Sequence, residues 1–398
     1  MTDLFDRTRA LFDLAEGVVY LDGNSLGALP RAARERVRRE IDESWGRDLI
    51  RAWNTAGWID LPTVVGDKIA ALIGAPPGSV TAGDSTSINL FKALTAALAL
   101  RPQRRIILSD SGNFPTDLYV AEGVCRLLGR GLALKVVEPD AVAAALGDDV
   151  AVLMLTEVDY RTGRLHDMRA LTARARAQGV VAVWDLAHSA GALPVDLAGC
   201  DVDFAVGCGY KYLNGGPGAP AFIYVKPDLQ ERVEPALSGW MGHAAPFAFE
   251  PHYRPAPGIV RARAGTPPVL SMAALDAALD VFEGVDMAAL RRRSMELGDA
   301  FIAGVEAASP DLMLVSPRSA SDRGSQVSFR FANGYAAMQA LIARGVIGDF
   351  RAPDVMRFGF APLYVSPADV GRAVSTIRDV MGGRLWERPE YSQRRTVT

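Results

Sequence analysis

The chain has 398 residues, 49% of them apolar and 22% charged, with 43 lysines and arginines against 46 aspartates and glutamates. A net charge of −3 on a globular composition excludes a disordered or fibrous chain and leaves no basic footprint for nucleic acid. Cys125, Cys200 and Cys208 are too few and scattered for a disulfide framework, no apolar run approaches the roughly 18 residues of a membrane span, and the charge-broken start MTDLFDRTRA does not read as a secretory signal. A soluble cytoplasmic protein of about two or three domains is expected, with no nucleic-acid or membrane partner.

In chain order, residues 31–47 (RAARERVRREIDESWGR) predict a charged surface helix. From about 85 to 225, short apolar runs alternate with helical patterns. Residues 104–110, 132–138, 150–158, 180–185, 203–209 and 219–225 read as buried strands, being nearly continuous apolar stretches that end in polar or glycine positions. Strand–helix alternation predicts an α/β fold whose mostly parallel sheet is covered by helices on both faces. After a helix near 268–285 the character changes: residues 286–398 carry a long helix, a VSFRF strand and a closing helix, PADVGRAVSTIRDVM. These predict a smaller α+β C-terminal domain. The expected division is 1–50 as an N-terminal segment packing with the small domain, 51–285 as the large domain, and 286–398 as the small one.

Several chemistries lack their motifs. Gly207 and Gly209 begin a G-x-G-x-x-G pattern, but Tyr212 stands at its third glycine, and there is no Walker A loop, H-E-x-x-H or cysteine pair at zinc spacing. No metal site is expected. One constellation stands out among only five lysines: Lys211 directly follows an apolar strand inside the glycine-rich turn GYKYLNGGPG. A lysine at a strand end, desolvated by aromatic neighbours, loses its proton at lower cost and is a candidate Schiff-base amine. Asp185 ends another buried strand 26 residues earlier. One αβ unit separates the two, so both side chains can meet at the carboxyl edge of the sheet, where open α/β sheets bind ligands. A carboxylate and a lysine so placed suit pyridoxal phosphate, whose ring nitrogen needs a counter-charge and whose aldehyde needs an amine. For the pair alone a structural salt bridge is equally open. Gly83, Ser85, Thr86 and Ser87 open an apolar helix and offer N–H groups and hydroxyls to a phosphate, or simply cap that helix. Phe114, at a strand-to-helix turn, could stack on a pyridine ring or belong to the core.

The segments YLDGNSLGALP (20–30), FPTD (114–117), DLAHSAGALPVDL (185–197), GYKYLNGGPG (209–218), GW (239–240) and GTPP (265–268) together resemble the kynureninases, over about residues 18–370. The resemblance implies an aspartate-aminotransferase-like fold (fold type I) and pyridoxal 5'-phosphate as cofactor. It implies that Lys211 carries the cofactor, that Asp185 pairs with the ring nitrogen, that Phe114 stacks on the ring with Asp117 nearby, and that His188 and Thr156 line the cofactor site. Thr86, Ser87, Tyr210, Trp240 and Thr266 would hold the phosphate, the last two from the partner subunit of a homodimer with interfacial active sites. Arg357, in RAPDVMRFGFAPLY, would clamp the substrate carboxylate, while Trp53, Gly265 and Thr266 would meet its aryl ring, with Trp58 close enough to compete for the first of these places. The activity implied is hydrolytic Cβ–Cγ cleavage of L-kynurenine, and of its 3-hydroxy form less readily, to anthranilate and L-alanine in tryptophan breakdown. Lys211 would move the α-proton and Tyr210 would relay protons later.

Two other readings bear on the same residues. A cysteine desulfurase shares much of this site but needs a nucleophilic thiol in the C-terminal half, and no cysteine follows Cys208. A cofactor-free binding protein on the same fold would have no use for both Lys211 and Asp185. An epimerase or aminotransferase stays open at this level.

Overall fold

The computed structural model describes residues 4–393. A seven-stranded sheet is built from β1 (Val80–Ala82), β2 (Ile106–Asp110), β3 (Ala133–Val137), β4 (Val150–Thr156), β5 (Val181–Asp185), β6 (Phe204–Cys208) and β7 (Ala221–Val225). Its spatial order is β1-β7-β6-β5-β4-β2-β3. Strands β6, β5, β4, β2 and β3 run parallel, and β7 is antiparallel to both of its neighbours. Every residue of β4 to β7 is buried, as a sheet covered on both faces requires. The three-residue β1 is too short to show a period, and no strand was expected there.

Two apolar cores flank the sheet. On one face, Leu90 and Leu94 of helix α2 (Thr86–Ala99) and Val124 of α3 (Pro115–Leu128) pack with Ile107, Val152 and Val183. On the other, Leu153, Leu155 and Trp184 belong to a core that runs without a break into the C-terminal region. There Phe301, from the long helix Met287–Ala308, meets Phe329, Phe358 and Phe360 at centroid distances of 6.1, 4.9 and 5.2 Å. The small antiparallel sheet has the order 349–351, 355–359, 326–330, 313–314. Its first hairpin places Asp349 directly opposite Arg357. That pairing shapes the site.

The N-terminal segment divides between two supports. Val19–Tyr20 pairs in parallel with Val346–Ile347, and the ring of Phe12 packs edge-on against Tyr364 at 4.9 Å, so the first part lies on the small domain. Helix α1 (Arg31–Arg39) lies instead along the helix Val269–Leu279 that precedes that domain. Charge explains the choice. Arg36 Nη1 reaches Asp276 at 3.0 Å, and Lys68 Nζ reaches Asp276 and Asp280 at 2.7 Å each. Beyond Arg39 the helix widens into π-type turns over Glu40–Asp48. Glu40, buried there, accepts from Arg36 Nε at 2.7 Å and Trp58 Nε1 at 2.9 Å. A single helix over 31–47 was expected; the broadened turns differ.

Candidate active site

The carboxyl ends of β4, β5 and β6 and the first turns of α2 and α3 converge on one edge of the large sheet. Asp185 is the last residue of β5; its Oδ1 accepts the backbone N–H of Ala187 at 2.8 Å. Asp117, in the first turn of α3, faces it, and both carboxyls are buried. Burial drives the Asp117 carboxyl well above the usual range, and the neighbouring Asp185 drives it further. Burial also raises Asp185, but Lys211 and the Ala187 N–H oppose that shift. Of the two, Asp117 therefore holds its proton more tightly and Asp185 is the more acidic carboxyl. Lys211 is the cation whose charge reaches it.

Lys211 lies three residues beyond the end of β6. Its Nζ lies 3.2 Å from His188 Nε2, 5.9 Å from the centre of the Phe114 ring and 5.7 Å from that of Tyr210. Burial, and then the charge of Lys211, push the His188 imidazole well below its ordinary pKa, so it is neutral. Burial raises the Tyr210 phenol, which keeps its proton at neutral pH. Phe114 is set by a small network. Asn113 Oδ1 accepts the Phe114 N–H at 2.7 Å, the buried His166 and Asp110 approach to 2.6 Å beneath the turn, and Tyr160 meets the Phe114 ring edge-on at 5.1 Å. Thr156 ends β4 and donates to the Val158 carbonyl at 3.2 Å.

Beside this cluster opens a cavity of about 540 Å³ lined by Thr86, Ser87, Tyr210, Gly265 and Thr266, among others. Ser85 caps α2, its Oγ accepting the Ile88 N–H at 3.3 Å, which leaves the Thr86 and Ser87 groups at the open end of a 14-residue helix. Gly265 and Thr266 thus line the same cavity as Thr86 from within one chain. Trp240 stands apart, packed against Phe247 at 5.6 Å and Phe249 at 6.5 Å around a different cleft. Trp53 does not line the cavity. It is half-buried, edge-on to Trp58 at 5.9 Å, whereas Trp58 is buried and tied to Glu40.

Arg357 presents a surprise. The expected open fork is filled: Nε donates to Asp349 Oδ1 at 2.6 Å, Nη2 to Asp349 Oδ2 and, at 3.0 Å, to Ser25 Oγ, and Nη1 to the Tyr160 carbonyl. Of its five N–H groups one remains, so a bidentate grip on a carboxylate requires Ser25 or Asp349 to give way. Around it lie residues to which no sequence argument gave a role. Asn24 is fully buried, and neither of its side-chain polar atoms has a partner among the described residues. Burial, followed by the charge of Asp349, pushes the Asp22 carboxyl up to about 7. Arg351 Nη2 meets Asp349 at 2.9 Å. The GNSLG segment was itself the available signal, since Gly27 donates its N–H to the Tyr210 carbonyl at 2.8 Å and a Cβ there would lie 2.3 Å from the Lys211 carbonyl oxygen.

A buried carboxylate, an amine among aromatic rings and a helix end with free hydroxyls complement a phosphorylated pyridine aldehyde. Solved structures support that class. A variant of the cystine C–S lyase C-DES, with glycine linked to its PLP cofactor, superposes with a TM-score of 0.83 at 19% identity, covering 95% of this chain and 100% of that one. The cysteine desulfurase CsdA of Escherichia coli gives 0.80 at 21% identity, covering 96% and 99%. The architecture is fold type I, as in class V of the pyridoxal-phosphate enzymes. Sequence comparison is narrower. The kynureninases of Burkholderia pseudomallei (strain 1106a) and Pseudomonas fluorescens are 52% and 51% identical over 397 residues, covering 98% of this chain and 95% of theirs. The family model for the kynureninase C-terminal domain matches residues 290–377. The chain belongs to the kynureninase family.

Proposed function

We infer that this protein is a pyridoxal-phosphate-dependent hydrolase that cleaves the Cβ–Cγ bond of L-kynurenine, giving anthranilate and L-alanine. The observation that carries the reading is the convergence of Lys211, neutral His188 and the buried Asp185–Asp117 pair on one sheet edge, in a chain half-identical to named kynureninases over nearly its whole length. The residues fit the cofactor. Lys211 would bind its aldehyde, Asp185 its ring nitrogen, Phe114 its face, and Thr86, Ser87, Tyr210 and Thr266 its phosphate. When bound, the cofactor supplies an electron sink for the bonds at the substrate's α-carbon.

The chain's own groups do the rest. Lys211 Nζ, once free, takes and returns the proton at the substrate's α-carbon, and neutral His188 beside it adds no competing charge. Tyr210 keeps its phenolic proton at neutral pH and can donate it as the three-carbon product forms. Arg357 and Ser25 meet the substrate carboxylate, with Asp349 holding the guanidinium in plane. The desulfurase chemistry of the structural relatives has no thiol here. Cys208 is buried, and burial raises its pKa.

The reading extends to a homodimer in the cytoplasm. Trp240, Phe247 and Phe249 form an exposed aromatic cluster, and Ile41, Trp45, Leu49 and Ile50 are exposed along another stretch, as surfaces awaiting a second copy would be. Cys125, Cys200 and Cys208 are unpaired thiols. Gly265 and Thr266, which line the cavity where Trp53 does not, offer the aryl ring no dedicated partner for a phenol and favour kynurenine over its 3-hydroxy form, by about a hundredfold at most. Mixing the protein with pyridoxal phosphate and L-kynurenine should produce anthranilate fluorescence with one alanine per anthranilate. Sulfide released from cysteine, with no anthranilate from kynurenine, would overturn the reading.

A further inference from the structure

Arg263 lies on the wall of the same cavity as Thr86, Ser87 and Tyr210. It is partly buried, donating from Nε to Thr81 Oγ1 at 3.1 Å and from Nη2 to Thr63 Oγ1. Both acceptors are neutral hydroxyls. No carboxylate forms an ion pair with Arg263 among the described residues, and Asp60 is the only acid there whose charge is felt at the guanidinium. Burial accordingly lowers its affinity for the proton. The other lysine or arginine on this wall, Lys92, is already matched: its Nζ pairs with Asp84 and donates to the Ala262 carbonyl at 2.8 Å. The cavity thus carries one uncompensated positive charge, with three N–H groups of its guanidinium still available. A desolvated cation without a counter-ion is costly, and here it shares a cavity with the open end of a helix that attracts negative charge.

We propose that Arg263 binds the phosphate of the cofactor, supplying the fixed positive charge that the Thr86 and Ser87 hydroxyls cannot. The assignment rests on the cofactor reading above and adds a residue to it. A purely structural role, clamping Thr63 to Thr81, predicts something different, and so does recognition of the substrate's own carboxylate.

The test titrates the full-length chain, freed of cofactor, with pyridoxal phosphate and separately with pyridoxal, following the visible absorbance band. Losing charge-assisted hydrogen bonds of about 1.5–3 kcal/mol corresponds to roughly 10- to 150-fold in affinity. Arg263→Leu should weaken pyridoxal phosphate by that factor and leave pyridoxal unchanged, whereas Arg263→Lys, which keeps the charge and guards against a folding defect, should lose only a few-fold. Inorganic phosphate should compete with pyridoxal phosphate less effectively in Arg263→Leu than in the unaltered protein. Equal weakening of both ligands, no change in either, or a raised KM for kynurenine with the two-ligand ratio intact would each overturn the proposal alone. No band from the unaltered protein with pyridoxal phosphate would overturn the cofactor reading and this inference together.

Discussion

At the end of β5, the buried Asp185 and Asp117 face each other beside Lys211, Asp117 holding its proton the more tightly, and burial drives His188 well below its ordinary pKa; across the domain boundary, Arg357 and Asp349 neutralise each other, with nearly every N–H of the arginine used. The first region is electrically incomplete, holding groups whose ionisation is displaced and which only a bound ligand can satisfy. In the second the arginine is already satisfied, so a substrate carboxylate would exchange with an existing partner, while Asn24 beside it lacks partners and the Asp22 carboxyl is pushed up to about 7. The same fold therefore keeps one half of its site waiting and the other half closed, and mutations in the two halves should register in different observables.

The widest separation is expected at Lys211. Lys211→Ala should cost roughly 10⁴-fold or more in turnover, at the upper end of what one proton-transferring side chain contributes, while leaving the melting temperature unchanged or slightly higher. Asp185→Asn should cost about a hundredfold. Borohydride reduction of the loaded protein should place the pyridoxyl label on Lys211, and a label on Lys226 or Lys92 would sink the assignment. Arg357→Leu should behave in the opposite way. It leaves the buried Asp349 carboxylate with Arg351 and Ser25 as its remaining partners, so urea unfolding should report a loss toward the lower end of the 3–5 kcal/mol of a broken buried pair, about 3 kcal/mol. A stable Arg357→Leu protein would erase the contrast between the two regions.

Glu157, one residue beyond Thr156, sharpens the comparison through pH. Burial pushes its carboxyl up to about 7, against the opposing effects of Ser189 and Arg291. The folded state therefore binds this proton more tightly than the unfolded one, and the associated stability is present below about pH 4.5 and lost as pH rises to about 7. Glu157→Gln should flatten that decline, with a gain of up to about 3 kcal/mol at pH 8 in denaturant titrations. A slope identical to that of the unaltered protein would mean that Glu157 is ionised in the fold. The smallest effect is expected at Asp117. Because it holds its proton the more tightly, Asp117→Asn keeps the hydrogen-bond donor and should change kcat by about threefold or less; a drop matching that of Asp185→Asn would show that the charge sits on the other carboxyl.

The buried strands were legible because β4 to β7 are continuous apolar runs ending in Thr156, Asp185, Cys208 and Val225, and Lys211 was legible as a candidate because a rare residue follows one of them. What stayed hidden arises from pairings that no local pattern encodes. Asp349 became the partner of Arg357 through hairpin register, and Arg36 drew α1 away from the small domain through Asp276, 240 residues distant in sequence. The Arg263 environment needed three elements, carrying Thr63, Thr81 and the 258–262 turn, to be seen together. Asn24 was visible within its motif, but only burial reveals its unmet hydrogen bonds.

The glycine that touches the lysine turn has a mechanical consequence. Tyr20 is stitched to Ile347 of the small domain, and seven residues later Gly27 is bonded to the carbonyl of Tyr210. Seven residues span at most about 25 Å when fully extended. Here the chain turns back on itself, with the Tyr20 hydroxyl fastened to the Leu26 carbonyl at 2.7 Å. The segment is a short leash with both ends tied. Any displacement of the small domain would therefore pull on the backbone that carries Lys211, so the two regions share one mechanical linkage.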